Sequence, residues 1–347
     1  MIETKAQCPA CKKSISHSYH TYWMCGSCGK KYPCINGIPR LYQEDSLGEA
    51  DKKHRDSLYN SYFGRIYNFL QPFLMIPIRP IRLSLIPWFI YFLLVFSLGF
   101  LVYHSLEWIL FNGLKSTRIV DLILLFLLVN YIFFLIKFPT IFYLFILAVP
   151  TKISLLISRF KPLIRYGPVH ANFQEEYHNS TDRLQHLDVA TGSCNPLFTQ
   201  GWLNLKADYT AVDLSEKMLI KGMNSMSAKE VPVDFIICDA TRLPFESETF
   251  DIVTNYGAIN GLDNPKAALA EMVRVTKRGG KILFLDEQQY ESAKFFERAY
   301  FKYVFAYYNT IVGCPVNMLP DELEDIQVHQ PYEFIYICTA RKKRILK

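Results

Sequence analysis

From residue 165 to residue 347, short apolar runs alternate with segments of helical period, and that alternation admits few folds. His186–Ala190 (HLDVA), Tyr209–Ser215 (YTAVDLS), Val233–Ala240 (VDFIICDA), Phe250–Ala258 (FDIVTNYGA) and Lys281–Glu287 (KILFLDE) read as strands. Glu216–Met226 reads as a helix capped by Ser215. Pro265–Lys277 reads as a second helix, ended by Gly279-Gly280. Asp325–Gln330 and Tyr332–Lys342 close the chain as a strand pair. Strands separated by helices predict an α/β fold: a mostly parallel sheet with helices on both faces.

Such a sheet binds ligands at the carboxyl ends of its strands. The stretch HLDVATGSCNP (His186–Pro196) runs from strand into loop, with Gly192 placed where a ligand can approach the backbone. Ala190 and Cys194 stand where two further glycines are expected. Asp213 ends the second strand 21 residues after Gly192, the separation at which an acid receives the ribose hydroxyls of a nucleoside cofactor. Asp239 ends the third strand, and Asn255-Tyr256-Gly257 the fourth. One glycine loop is weak evidence, but four strand ends presenting small or polar residues to one crevice are strong. The full dinucleotide glycine pattern is absent, which disfavours an NAD-dependent oxidoreductase.

The span His186–Glu287 resembles the class I S-adenosylmethionine-dependent methyltransferases, and among them most the ubiquinone/menaquinone-biosynthesis C-methyltransferases. DVATGSCN, AVDLSEKML, CDATRLPFESETFDIVTNYGAIN and EMVRVTKRGGKILFLDE carry the resemblance. It implies a Rossmann-like sheet of seven strands. It also implies that Asp188 and Gly192 face the methionine moiety, Asp213 binds the ribose, and Asp239 meets the adenine amino group. Ala190, Leu214, Ala240 and Asn255 complete the cofactor set, and Asn255 and Tyr256 line the methyl-transfer site. The quinone group commonly carries alanine at the position of Ala190; Cys194 departs from its usual glycine and has to point away from the cofactor. The chain after Tyr290 lacks a recognisable version of that family's later substrate-contacting segment. His170 and His178, in the helix-like segment before the first strand, are candidate bases for a phenol or an enolisable ring carbon.

The remainder of the chain is read from its cysteines and its apolar runs. Four of the nine cysteines form Cys8-x-x-Cys11 and Cys25-x-x-Cys28, with Gly26 and Gly29 freeing the turns. No secretory signal pattern precedes them, so these pairs predict a structural zinc site in a reducing compartment, not disulfides. Metal would stand in for the core that a unit of about 40 residues cannot build. Lys31–Leu41 (KYPCINGIPRL) resembles the small zinc-ribbon proteins that accompany methyltransferases, with Cys34 packed and not a ligand.

Hydrophobic residues reach 50% while charged residues still make 20%, an average that suggests a membrane part joined to a soluble part. Leu83–Leu106 contains no Asp, Glu, Lys or Arg, and Ile119–Ile136 offers a second run near the ~20 residues that cross a bilayer. Arg79 and Arg82 precede the first run, and Lys152, Arg159, Lys161 and Arg165 follow the second, against Lys115 and Arg118 between them. The expected organisation is a zinc ribbon over 1–45, a linker and interfacial segment over 46–82, a transmembrane hairpin with an interfacial extension over 83–160, and the catalytic domain over 165–347. The expected location is the membrane, in two spans with both soluble regions cytoplasmic. Bilayer and a lipid or quinone-like acceptor are the expected partners. Net charge is only +6 and no Arg-rich patch interleaves with aromatics, which argues against nucleic acid. Two alternatives stand beside this reading: a tethered protein methyltransferase, and a scaffold that has lost cofactor binding through Cys194.

Overall fold

The computed structural model describes residues 6–53, 55–56, 167–178, 180–194, 196–197, 201–288, 313–332 and 335–344. The N-terminal residues form a small antiparallel sheet of β1 (His17–Ser18), β2 (Tyr22–Met24), β3 (Lys31–Ile35) and β4 (Ile38–Pro39), in that order. Asn36 and Gly37, at φ 49° and 82°, turn β3 into β4. Two left-handed residues match the twist of a tight hairpin, and Asn-Gly is the pair that adopts them most readily.

The larger sheet holds seven strands: β5 (Leu184–Val189), β6 (Ala207–Asp213), β7 (Val233–Ile237), β8 (Phe250–Tyr256), β9 (Thr276–Glu287), β10 (Leu323–Tyr332) and β11 (Ile335–Lys342). Their order is β10-β11-β9-β8-β5-β6-β7. The pairs from β9 through β7 are parallel, and β11 lies antiparallel to both β9 and β10. This is the expected mostly parallel α/β sheet. Two helices join its strands, α3 (Glu216–Ser227) and α4 (Pro265–Val275), and α2 (Gly167–His178) precedes β5. Ser215 caps α3 as expected, its side chain accepting from Met218 N. The end of α4 differs from expectation. Thr276, extended at φ −73° and ψ 134°, ends the helix, and β9 runs through Gly279-Gly280. A Cβ on Gly280 would lie 2.9 Å from the carbonyl oxygens of Asp251 and Lys277, so that glycine serves strand packing and not the helix cap.

The ribbon and the sheet share one core. Ala6, Ile15, Trp23 and Leu41 pack in the same buried cluster as Ile236, Leu243 and Phe245. β7 is an edge strand, and Arg40 bridges Ile237 on its open side in parallel register. Gln7 N–H donates to the Pro244 carbonyl at 2.8 Å, and Ala6 bridges Phe245. A short helix, α1 (Glu49–Lys53), follows the ribbon, and the Asp263 carboxylate accepts from its Ala50 N–H at 2.8 Å. One compact unit therefore draws on both Met1–Leu70 and Ile164–Lys347, whereas Gln71–Leu163 forms a second unit that lies outside the described residues.

Two expectations are corrected. Among the described residues no helix is long and apolar enough to cross a membrane. The longest described helices, α2 and α3, have 12 residues each, against roughly 20 for a crossing. Among the described residues the fold class is accordingly α/β, and a two-span membrane location is not supported. The hairpin expected over 83–160 falls outside the described residues.

Candidate active site

The loop after β5 keeps a glycine backbone with only one of three glycines in place. Ala190, Gly192 and Cys194 have φ of 52°, 57° and 60°. A side chain in this left-handed region costs about 1 kcal/mol, so two residues here hold strain that glycine would relieve. Cys194 is fully buried and its Sγ lies 2.8 Å from where a Cβ on Gly222 of α3 would sit. Its side chain points into the helix packing, away from the crevice, as the expectation required. Gly222 is thus the counterpart of Cys194. Gly222→Ala is expected to lower stability by about 1–3 kcal/mol through overpacking. The same change in a Cys194→Gly background should lose at least about 1 kcal/mol less, an excess that urea melts of the four proteins in the cycle would read.

Asp213 sits where β6 ends. Its Oδ2 accepts the Gly192 N–H at 2.8 Å and its Oδ1 accepts the Ser215 N–H at 2.7 Å. One carboxylate therefore ties the glycine loop to the start of α3, and each oxygen keeps a lone pair for a further donor. Burial raises its pKa, against the lowering by the Ser215, Gly192 and Leu214 amides. Such a carboxyl gains from additional hydroxyl donors that stabilise its charge.

Asp188, at the end of β5, is wholly buried. Its Oδ2 accepts from Thr191 Oγ1 at 2.5 Å and its Oδ1 from Thr254 Oγ1 at 2.7 Å. Burial pushes its pKa up to about 7, with the two threonine hydroxyls opposing and Asp213 adding. Thr254 spends its proton on Asp188, so His186 Nε2–H donates to Thr254 Oγ1 at 3.0 Å. Burial holds His186 neutral, its pKa lowered to about 3.

The remaining expected residues sit at the ends of β7 and β8. Asp239 caps the turn that carries Ala240, its carboxylate accepting from the Thr241 N–H and hydroxyl, all at 2.8 Å. Asn255 Nδ2 donates to the Val189 carbonyl at 2.8 Å, and its buried Oδ1 has no partner among the described residues. An orphaned buried acceptor beside the glycine loop calls for a donor that a bound molecule can supply. The Tyr256 hydroxyl receives Trp202 Nε1–H at 2.5 Å and lies 2.9 Å from His170 Nε2. Burial lowers the His170 pKa to about 3. His170 is therefore a neutral partner of Tyr256 and a poor proton acceptor near neutrality. His178 ends α2, exposed, eight residues and roughly 12 Å along the helix from His170. Trp202, Thr191, Thr254 and His186 went unread in the sequence. Trp202 lies in an aperiodic stretch, His186 and Thr254 are set by contacts across strands, and Thr191 by its contact with Asp188 three residues earlier.

The four ribbon cysteines also converge. Their sulfurs all lie within 4.8 Å of one another, with Cys8–Cys28 at 3.6 Å and Cys11–Cys25 at 3.5 Å. A zinc–sulfur distance of about 2.3 Å sets tetrahedral sulfur separations near 3.8 Å, so the donor set fits that ion. Tyr32, buried, places its hydroxyl 3.1 Å from Cys8 Sγ. Burial opposes ionisation of Cys25, but the Cys28 and Ser27 amides and the Cys11 thiol hold its pKa down to about 7. Cys34 stays outside the cluster, its Sγ 3.7 Å from the Tyr19 carbonyl.

Comparison with known proteins adds a family and relatives. Residues 187–284 match the family model described as a methyltransferase domain. A demethylmenaquinone methyltransferase of Renibacterium salmoninarum is 40% identical over 28% of this chain and 38% of its own length. A ubiquinone/menaquinone biosynthesis C-methyltransferase of Burkholderia orbicola is 39% identical over 21% of this chain and 30% of its own. The chain thus spans well under half the length of these curated relatives. Among solved structures, a phosphoethanolamine N-methyltransferase of Haemonchus contortus bound to S-adenosyl-L-methionine matches at 15% identity. That match covers 51% of this chain and 53% of the other, with a TM-score of 0.42.

Proposed function

We propose that this chain is an S-adenosylmethionine-dependent methyltransferase whose acceptor is a small quinone-precursor-type molecule. One observation carries the cofactor reading: a half-buried carboxylate, Asp213, holds the Gly192 N–H of a loop that keeps glycine geometry at the top of a parallel sheet. The names of the relatives support the acceptor class.

The cofactor supplies a methyl group on a sulfonium, already electrophilic. The protein's task is alignment and exclusion of water. Asp213 offers its remaining lone pairs to the ribose hydroxyls. Gly192 leaves the backbone open beside the methionine moiety, and Asp188, at the end of β5, faces the same group. Asp239 and Ala240 border the adenine end, with Leu214 beside the ribose. Asn255 Oδ1 accepts a hydrogen from the bound molecule. Tyr256, held by Trp202 and His170, forms a rigid wall at the methyl end. A proton lost from the acceptor leaves to water or to a group on the acceptor, since His170 resists protonation. In the ribbon, Cys8, Cys11, Cys25 and Cys28 would hold a structural Zn2+ that ties their two knuckles together.

The test is methyl transfer from labelled S-adenosylmethionine into a demethylated naphthoquinol by the full chain. Label is expected in the organic extract with wild type and not with Asp213→Ala. Label recovered only in protein would overturn the small-molecule acceptor. Metal analysis should give one zinc per chain. Replacing Cys25 with Ser is expected to weaken zinc at least about tenfold in competition with a chromogenic chelator.

A further inference from the structure

Among the described residues the sheet's last strand is only half covered. Leu41 N–H donates to the Ile237 carbonyl at 2.8 Å, on the outer side of β7, while Cys238 N–H turns inward to Asp213 at 3.0 Å. Alternation along the strand then points the N–H and C=O groups of Val233 and Phe235 outward, with those of Ile237. Among the described residues these outward groups have no hydrogen-bond partner. The ribbon hairpin leaves the edge at this point, because Asn36-Gly37 bends β4 back onto β3. A groove of about 680 Å3 opens between them. Trp23, Ile38 and Pro39 form one wall, Met223 and Met226 of α3 the other, and Phe235 lies along the strand edge. It lies at the start of β7, whereas Asp213 ends β6 and Asp239 follows β7, at the opposite end of the strands.

We propose that this groove docks an extended peptide of a partner protein, which takes beside Val233 and Phe235 the place that Arg40 takes beside Ile237. The inference is independent of the methyltransferase reading. Two features select a peptide. An added strand supplies donors and acceptors in the spacing the open edge presents, whereas an apolar small molecule would cover those groups and leave them unpaired. The site also continues an interface already in use: the ribbon pairs with this same edge one step further along. Aromatic and methionine side chains on the walls receive alternate apolar side chains of the peptide, and methionine adapts to varied shapes.

The probe is a displayed library of random decapeptides selected against the immobilised full chain, followed by hydrogen exchange with each enriched peptide. Recovered peptides are expected to carry apolar residues at alternate positions. Their binding should slow exchange of the Val233 and Phe235 amides at least about tenfold. Val233→Pro removes one outward donor at the first strand residue and leaves the β6 ladder intact, so it should weaken binding at least about tenfold. Three results would overturn the proposal: no peptide is enriched, peptides bind without slowing those two amides, or both amides are already protected in the free chain. The exchange measurement stands even where the proline variant fails to fold.

Discussion

Replacing Asp213 with alanine is expected to weaken S-adenosylmethionine binding by about 100- to 10,000-fold. Two charge-assisted bonds to the ribose hydroxyls contribute roughly 1.5–3 kcal/mol each, at one decade of affinity per ~1.4 kcal/mol. The structure adds a second route to the same loss. The carboxylate also fixes the Gly192 N–H at 2.8 Å and the Ser215 N–H at 2.7 Å, so its removal frees the glycine loop from the start of α3. Asp213→Asn separates the two routes. An amide retains one acceptor oxygen and no charge, so it can hold one of the two backbone donors but gives weaker bonds to the ribose. Calorimetry on the full chain should therefore rank wild type above Asn, and Asn above Ala, with melting curves confirming that all three fold. Equal affinity for wild type and Ala would place the cofactor elsewhere.

Asp213 was legible in the sequence because a strand, a glycine turn and the next strand fix a spacing. The seven strands were legible for a related reason: each holds an apolar or alternating run bounded by turn residues or a helix, although β9 and β10 extend beyond the runs that mark them. Other features depend on contacts that no local pattern encodes. The letters Ala190 and Cys194 could be read as departures, but not how the chain tolerates them. That depends on Gly222, on a separate helix, leaving room for Cys194 Sγ. His170 reads as a candidate base from its ring alone, whereas its burial against Tyr256 and Trp202 decides its charge. The ribbon reads as a unit that metal must hold together. Its place on the sheet comes from pairing residue 40 with residue 237, a partner chosen by edge geometry. The membrane reading rested on the length of apolar runs, and no described helix has the length to bear it out.

The ribbon's position also bears on the crevice. Arg40 and Leu41 hold β7 just before Asp239, and Ala6 and Gln7 hold residues 244–245 just after its turn. The Asp239 loop is thus pinned on both sides by residues that flank the small sheet. Burial of Trp23 and Leu41 against Phe245 and Leu243 makes that pinning part of the main core, so ribbon and crevice are expected to lose structure together.

Between about pH 4 and pH 7, Asp188 is expected to draw down the stability of the fold as pH rises. Its carboxyl is raised from 3.8 to about 7 by burial. Over that window the folded chain binds a proton that the unfolded chain has released, so the unfolded state binds fewer protons and stability falls. The full effect is about 4 kcal/mol, at 1.36 kcal/mol per pH unit, and it is complete above the folded pKa. His170 and His186 act in the opposite sense. Both are lowered to about 3 by burial, so below about 6.5 the unfolded chain binds protons that the folded chain refuses, and stability rises with pH. Wild-type melts alone therefore mix two slopes that partly cancel. The difference between wild type and Asp188→Asn isolates the carboxyl, because both histidines remain in each protein. Asparagine is close in size to the aspartate and cannot ionise. Urea unfolding at pH 5 and pH 8 should show the variant gaining on wild type by about 2–3 kcal/mol between the two, the part of the window above pH 5. A difference independent of pH would mean that the buried carboxyl keeps an ordinary pKa, with the Thr191 and Thr254 hydroxyls sufficient to hold its charge.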